Sequence, residues 1–149
     1  MKILYIPLDE RPCNWMYPQM IATLAPEIEL VVPPLKLLGQ KKQAAPIESL
    51  WDWVEAQSCP MLILSLEMMV YGGLLPSRLH QASKDDLFNR LDRIRSLKKR
   101  MPEAQIFASN LMMRTPHYDS SEEEPEYYAD FGAAIFRWGW LSDRSQREG

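Results

Sequence analysis

Cysteine is scarce. Cys13 and Cys59 are the only two and lie far apart, so neither a disulfide framework nor a zinc-type C-x-x-C pairing can be built from them. Two reduced, buried thiols are the plain reading. A basic excess is missing too: the net charge is -3, with 17 Lys and Arg against 20 Asp and Glu. No nucleic-acid partner is expected, because phosphates call for a basic face. Long apolar runs are absent, none approaching the ~18 residues that cross a bilayer. The apolar start, Met1 to Pro7, is too short for a signal-peptide core and meets Asp9-Glu10-Arg11 at once. A cytoplasmic location and no membrane partner follow as expectations. The two histidines, His80 and His117, have no partner at metal-ligand spacing. No stretch fits G-x-x-x-x-G-K-S/T, G-x-G-x-x-G or G-x-S-x-G, which leaves a phosphate loop, a dinucleotide fingerprint and a serine-hydrolase elbow without support.

What is present is ordinary globular material. In 149 residues, 46% are apolar and 25% charged, enough for one domain and too apolar for a disordered chain. The first strand, Lys2 to Pro7, is nearly continuous in apolar residues, as where helices cover both sheet faces. A helix is predicted from about Pro18, with Met20, Ile21 and Leu24 on one face and Pro26 beyond it. The second strand, Ile28 to Val32, stops at Pro33-Pro34. A helix from about Pro46 places Ile47, Leu50, Trp51 and Val54 at helical spacing. The third strand is Met61 to Leu66, followed by a long loop from Glu67 to Arg78. Ser83 and Asp86 form a capping signal for the next helix, whose stripe is Leu87, Leu91, Ile94, Leu97 and Met101. Lys98, Lys99 and Arg100 then complement its dipole, so the basic run needs no partner.

The fourth strand is Gln105 to Ser109. Ser121 and Glu124 signal a fourth helix with the face Tyr128, Phe131, Ile135 and Trp138, and the polar stretch from Ser142 to Gly149 is expected to fray. Trp51, Trp53, Trp138 and Trp140 read as core, and Trp15, beside the first loop, stands apart. Strand and helix alternate four times, which implies an α/β fold with a parallel sheet in a single domain over residues 1–141. The sheet is either open and doubly wound or half of a (β/α) barrel. The long third and fourth loops favour the barrel half.

In both architectures ligands bind at the carboxyl ends of the strands. The first strand is followed by Asp9, Arg11 and Asn14. The third is followed by Glu67, then Tyr71-Gly72-Gly73 and Arg78, and the fourth by Asn110 and Arg114. Such charges beside apolar strand ends must pair or bind something. Asp9 and Glu67 are the candidate acid/base pair; alternatively Asp9 ties the sheet together by pairing with Arg78 or Arg114. Arg11, Arg78 and Arg114 are candidate clamps for a carboxylate or phosphate, or plain partners of Asp9, Glu10 and Glu67. Gly72 and Gly73 permit close ligand approach or simply make a turn. His117 is the better histidine for proton transfer, with a surface residue as the alternative. An oxygen-ligand metal site from Asp9, Glu10, Glu67 and Asn110 has no spacing to recommend it, and no metal or other cofactor is assigned.

Three ordered blocks carry a resemblance: Ile6-Pro7-Leu8-Asp9-Glu10-Arg11-Pro12-Cys13-Asn14, then Ser65 through Arg78, then Met113-Arg114-Thr115-Pro116 with Glu123-Glu124-Pro125-Glu126-Tyr127-Tyr128. Together they resemble a bacterial family catalogued as domain of unknown function 4127 (DUF4127), over the chain up to about Leu141. Its members commonly carry aspartate at the position of Glu67, which shifts the charge by one methylene. They are also typically longer. The resemblance therefore implies an N-terminal portion, with any site shared with the remainder incomplete here. It implies no particular reaction.

The functional expectation is part of an enzyme, a hydrolase of a small polar, sugar-like substrate. Asp9 and Glu67 would handle protons, while Arg11, Asn14, Tyr71, Gly72, Gly73, Arg78, Asn110 and Arg114 would bind the substrate. The rival is a non-catalytic binding module for an anionic metabolite, which needs the arginines but tolerates loss of either acid. A third reading is an inactive truncated fragment with an exposed apolar sheet edge. The oligomeric state is left open.

Overall fold

The computed structural model describes residues 1–148. Four parallel strands, β1 (Lys2–Ile6), β2 (Glu29–Val31), β3 (Met61–Ser65) and β4 (Gln105–Ser109), alternate with helices. These are α1 (Pro12–Ala22), α2 (Ile47–Glu55), α3 (Leu74–Leu79), α4 (Lys84–Arg100) and α5 (Tyr128–Glu148). The strand order is β2-β1-β3-β4, so the first strand lies inside the sheet. In a barrel half, the strands would pair in chain order. The arrangement is therefore the open, doubly wound one, and the preference for a barrel half is corrected.

The chain packs as two compact units, divided after Leu111. In the first unit, side chains alternate across the sheet. Leu4 and Ile6 of β1 and Leu62 and Leu64 of β3 point to one face and are fully buried with Leu50, Trp51 and Val54 of α2 and Leu97 of α4. Arg93 fastens α4 to α2: its guanidinium lies 4.7 Å from the Trp51 ring centre and donates to Glu55 at 2.9 Å and Glu48 at 2.7 Å. On the other face the cover is thinner, and Phe107 on the terminal strand β4 stays 55% exposed.

Local chemistry explains where the elements begin and end. The capping box at Ser83 forms as its sequence indicates, with the Ser83 hydroxyl accepting from the Asp86 N–H and the Asp86 carboxylate accepting from the Ser83 N–H. Helix α1 starts at Pro12, six residues before the expected Pro18, because Pro12 also suits the first turn. Its predicted apolar face is not a core face, since Met20, Ile21 and Leu24 are exposed. The long loop after β3 is also corrected. It winds into a wide π-helical turn, Glu67–Tyr71, and then α3.

Gly72 closes that turn at φ 87° and Gly73 follows at φ 133°. The Gly72 N–H donates to the Met68 carbonyl and the Gly73 N–H to the Glu67 carbonyl, each at 3.0 Å. The turn is pinned from outside as well. The Trp51 indole N–H donates to the Met69 carbonyl at 3.0 Å and Arg90 to the Val70 carbonyl at 2.6 Å. The Gly72 carbonyl in turn accepts from the Ala45 N–H at 2.9 Å.

In the second unit, α5 begins at Tyr128, later than the Ser121–Glu124 signal, and continues to Glu148 across residues expected to fray. Side chains four apart, Arg144 with Glu148 and Arg147 with Asp143, pair along this last stretch. Gly132 is buried against the preceding segment, where an added Cβ would meet the Tyr118 carbonyl oxygen at 2.4 Å. Trp138 and Trp140, expected in a core, are 73% and 48% exposed. In the first unit Cys59 is buried as expected, but Cys13 is exposed, because it lies on α1, which buries none of its residues. Among the described residues, no helix is long and apolar enough to cross a membrane.

The turn after β3 yields a stability test. A Cβ at residue 72 would lie 2.7 Å from the Ala45 nitrogen at a φ that L side chains rarely adopt. Gly72→Ala is expected to cost roughly 2–3 kcal/mol in urea unfolding. A change below about 0.5 kcal/mol, within the range of neutral surface substitutions, would contradict this account of the turn.

Candidate functional site

A doubly wound sheet leaves a crevice at the carboxyl ends of its strands where the connections reverse direction. Here the reversal lies between β1 and β3, and a cleft of about 170 Å³ opens there. Tyr5, Ile6 and Leu8 line it from β1, Ile63, Ser65 and Glu67 from β3, and Ser109, Asn110 and Leu111 from β4.

Glu67 is the buried acid of this cleft, only 4% exposed. A carboxylate in that position must be hydrogen-bonded. The Ser65 hydroxyl donates to Oε2 at 2.7 Å, and the Leu111 backbone N–H donates to Oε1. Each oxygen keeps a further lone pair for a substrate or a water. Glu67 is also the first residue of the π-helical turn, so the donors of Trp51 and Arg90 fix the backbone that carries it.

Asp9 has a different setting. It is also buried, at 6% exposure, but its oxygens are taken up by its own loop. Oδ1 accepts from the Asn14 amide at 2.7 Å and the Arg11 backbone N–H at 3.1 Å, and Oδ2 accepts from Arg11 Nε at 2.8 Å. A second Arg11 nitrogen lies 2.6 Å from Oδ2, making the ion pair two-pronged. Burial by itself raises the Asp9 carboxyl, yet the hydrogen bonds from Arg11 and Asn14 and the Arg11 charge outweigh it and hold it below its usual value. The partner is thus Arg11, which corrects the pairing expected with Arg78 or Arg114.

Nearby, the Tyr5 hydroxyl donates to the Asn14 carbonyl at 2.8 Å. Burial pushes the Tyr5 phenol above its ordinary value, with Asp9 and Cys13 adding to the effect.

The remaining sequence candidates divide. Asn110 joins Glu67 in the cleft lining. Arg11 and Asn14 serve Asp9. Tyr71 stacks on His80 with ring centres 4.8 Å apart, and Gly72 packs against Ala44 and Ala45, so these residues close the turn. Arg78 is half-buried in the last turn of α3 and is not part of the lining. Arg114 belongs to the second unit, where its guanidinium donates to the Tyr118 hydroxyl at 3.3 Å. His117 is exposed and packs edge-on against Tyr118 and Phe136. The Trp15 indole donates to the Pro33 carbonyl at 3.0 Å.

The oxygen-ligand set does not assemble. Glu10 accepts from the Lys41 N–H at 2.8 Å, and among the described residues no three Cys, His, Asp or Glu side chains converge on a metal position. Tyr5, Ser65 and Ser109 join the lining without a motif that marks them in the sequence. Ser65 had a readable signal: it ends an apolar strand two residues before an acid.

The Asp9 cluster predicts a definite acid response. Folding depresses this carboxyl below its ordinary 3.8, so its stabilisation is complete above that value and is lost as pH falls through the lower folded-state value. Asp9→Asn should lower stability at pH 7 by about 1–3 kcal/mol. It should also reduce the stability difference between pH 7 and pH 3. Urea titrations at both pH values check this, and an undiminished acid dependence in the variant would contradict it.

No curated protein and no solved structure matches this chain. The family model described as "Protein of unknown function (DUF4127)" matches residues 3–149, nearly the whole sequence. The parallel α/β chain with its strand-end cleft is a member of the DUF4127 family.

Proposed function

We propose that the strand-end cleft binds a small polar, sugar-like molecule and that the protein is a hydrolase in which Glu67 transfers the proton. The observation that carries this reading is the Glu67 carboxylate itself. It is buried at the point where the strand connections reverse, on a backbone braced by α2 and α4, with acceptor capacity left over. The lining supports a small polar ligand: the Asn110 amide stands beside the acid, and the Tyr5, Ser65 and Ser109 hydroxyls, whose protons go to Asn14, Glu67 and Leu64, keep oxygen lone pairs as acceptors. Its volume of about 170 Å³ favours a compact molecule, being below the roughly 300–1,000 Å³ of sites for drug-sized ligands.

The paired-carboxylate scheme of glycosidases needs two acids facing one bond, about 5–9.5 Å apart. Asp9 is absent from the cleft lining and spends its oxygens on Arg11 and Asn14. In this reading Glu67 is therefore the base that takes a proton from the attacking water and returns it to the leaving oxygen of the cleaved bond. Asp9 stays ionised and shapes the loop that follows Leu8.

The test uses the full chain with a panel of monosaccharides and nitrophenyl glycosides and esters. One ligand class should raise the melting midpoint, because it binds only the folded form. Glu67→Gln should fold as the parent does: its amide oxygen can accept from Leu111 while its NH₂ donates to Ser65. Turnover of the responding substrate should fall by roughly 10²–10⁴-fold in that variant. Undiminished turnover would remove Glu67 from the chemistry. A panel with neither a shifted midpoint nor any hydrolysis would count against the small-molecule site itself.

A further inference from the structure

We propose that α5 pairs with α5 of a second copy of this chain as a short antiparallel coiled coil. The inference is independent of the cleft and begins with spacing. Tyr127, Phe131, Ala134, Trp138 and Leu141 recur at alternating steps of four and three, the interval that keeps side chains on one seam of a supercoiled helix pair. Tyr127 lies just before α5 but shares its register, since its carbonyl accepts from the Phe131 N–H at 3.1 Å.

The seam lies open. Tyr127 is 56%, Phe131 57%, Trp138 73% and Leu141 46% exposed. A groove runs along it, bordered by Tyr127, Phe131, Ala134, Ile135 and Trp138. The helix uses a different face inside its own unit, where Gly132 abuts the Tyr118 carbonyl and Phe136 meets His117.

Size and charge both select a second copy, and select its direction. In an antiparallel register Trp138 of one helix sits opposite Ala134 of the other, and Phe131 opposite Leu141. The two-fold axis makes each match twice, and the largest side chain meets the smallest. Asp130, Arg137 and Arg144 flank the seam at seven-residue steps. The same register brings Asp130 of each copy to Arg144 of the other.

A parallel pair would instead stack Trp138 on Trp138 and Ala134 on Ala134, and would set Asp130 and Arg137 beside Ile135 and Ser142 of the other copy, so that no opposite charges are matched. One unfavourable contact persists in the antiparallel pair, where Arg137 faces its twin near the axis. Arg144 would re-pair at small cost, because its present contacts, the Glu148 carboxylate and the Trp140 ring 5.5 Å away, lie on the surface with the Arg144 and Glu148 side chains more than half exposed.

The area sets the strength. Aromatic side chains bury about 150–250 Å² each when fully covered, so seam residues half to three-quarters exposed offer roughly 400–500 Å² per copy. The pair would remove on the order of 900 Å², at the lower edge of specific interfaces, which implies a weak, concentration-dependent dimer.

Sedimentation velocity of the full chain from about 1 to 200 µM, with circular dichroism as the fold control, tests the proposal. The expected result is a monomer–dimer equilibrium in the micromolar range. Trp138→Glu changes an exposed position and should give a monomer at every concentration with helix content unchanged. Asp130→Arg should weaken association roughly tenfold, since each copy exchanges an attraction for a repulsion. Asp130→Arg combined with Arg144→Asp should restore it to within about threefold. A folded wild type that stays monomeric throughout overturns the proposal and leaves the seam to some other polypeptide. A dimer insensitive to Trp138→Glu overturns it too, by placing the contact elsewhere. Failure of the charge exchange to restore association overturns the antiparallel register.

Discussion

A buried backbone carbonyl must find a donor, and the turn after β3 is where that requirement organises the first unit. Five residues wind there with π-helical geometry, and two of their carbonyls are satisfied from outside the turn. Trp51 reaches Met69 from α2, and Arg90 reaches Val70 from α4. Trp51 is itself fully buried and lies under the Arg93 guanidinium, which is tied to Glu55 and Glu48. The donors that hold the turn are thus the side chains that join the two helices, and the helices sit where the apolar faces of β1 and β3 put them. Glu67 inherits its place from this chain of contacts. Single-turn π-helical segments occur often at functional sites, where an irregular backbone aims a side chain that a regular one would not.

Two acids of similar burial end up in different chemical states of readiness because their donors differ. Asp9 meets a guanidinium, an amide and a backbone N–H within five residues of itself, and these satisfy both oxygens. Its charge is locked in, which makes it a strong structural anchor. Glu67 meets one hydroxyl and one backbone N–H, the latter supplied by the segment beyond β4. One of these contacts is local and the other spans 44 residues, and Glu67 lines the cleft. The sequence treats Asp9 and Glu67 as equivalent strand-end acids, and the structure separates them.

This separation also marks what a single sequence can reveal. Elements governed by near neighbours were legible: the capping box at Ser83 and the limits of β4 at Gln105 and Ser109 were both readable. So was the assignment of acids and amides to strand ends, because strand–helix alternation fixes which loops share an edge. The strand order was not legible, since it depends on which strands pair across the sheet. The π-helical turn was hidden for a related reason. Nothing inside Glu67–Tyr71 reveals that an indole and a guanidinium from other helices will satisfy its carbonyls. The apolar residues of α1 and α5 misled in another way. Periodicity predicts that an amphipathic face exists, but it does not say what covers the face, and Ile21 and Trp138 are exposed despite their spacing.

The start of α1 shows how a local misreading can conceal a long-range link. The Pro18 ring suits a first turn, yet the residue lies inside a helix that begins at Pro12. There it has no N–H to offer the carbonyl of Asn14, four residues earlier, and that carbonyl needs another donor. The Tyr5 hydroxyl provides it at 2.8 Å. Asn14 meanwhile donates its amide to Asp9. A proline in mid-helix thereby fixes a tyrosine on β1 and steadies the amide that holds the first strand-end acid. Tyr5 also lines the cleft that holds Glu67, so its hydroxyl joins the Asp9 loop to the wall of the candidate site. The two acids that the sequence proposed as a pair are connected, then, through a scaffold in which one anchors the loop and the other faces the cavity.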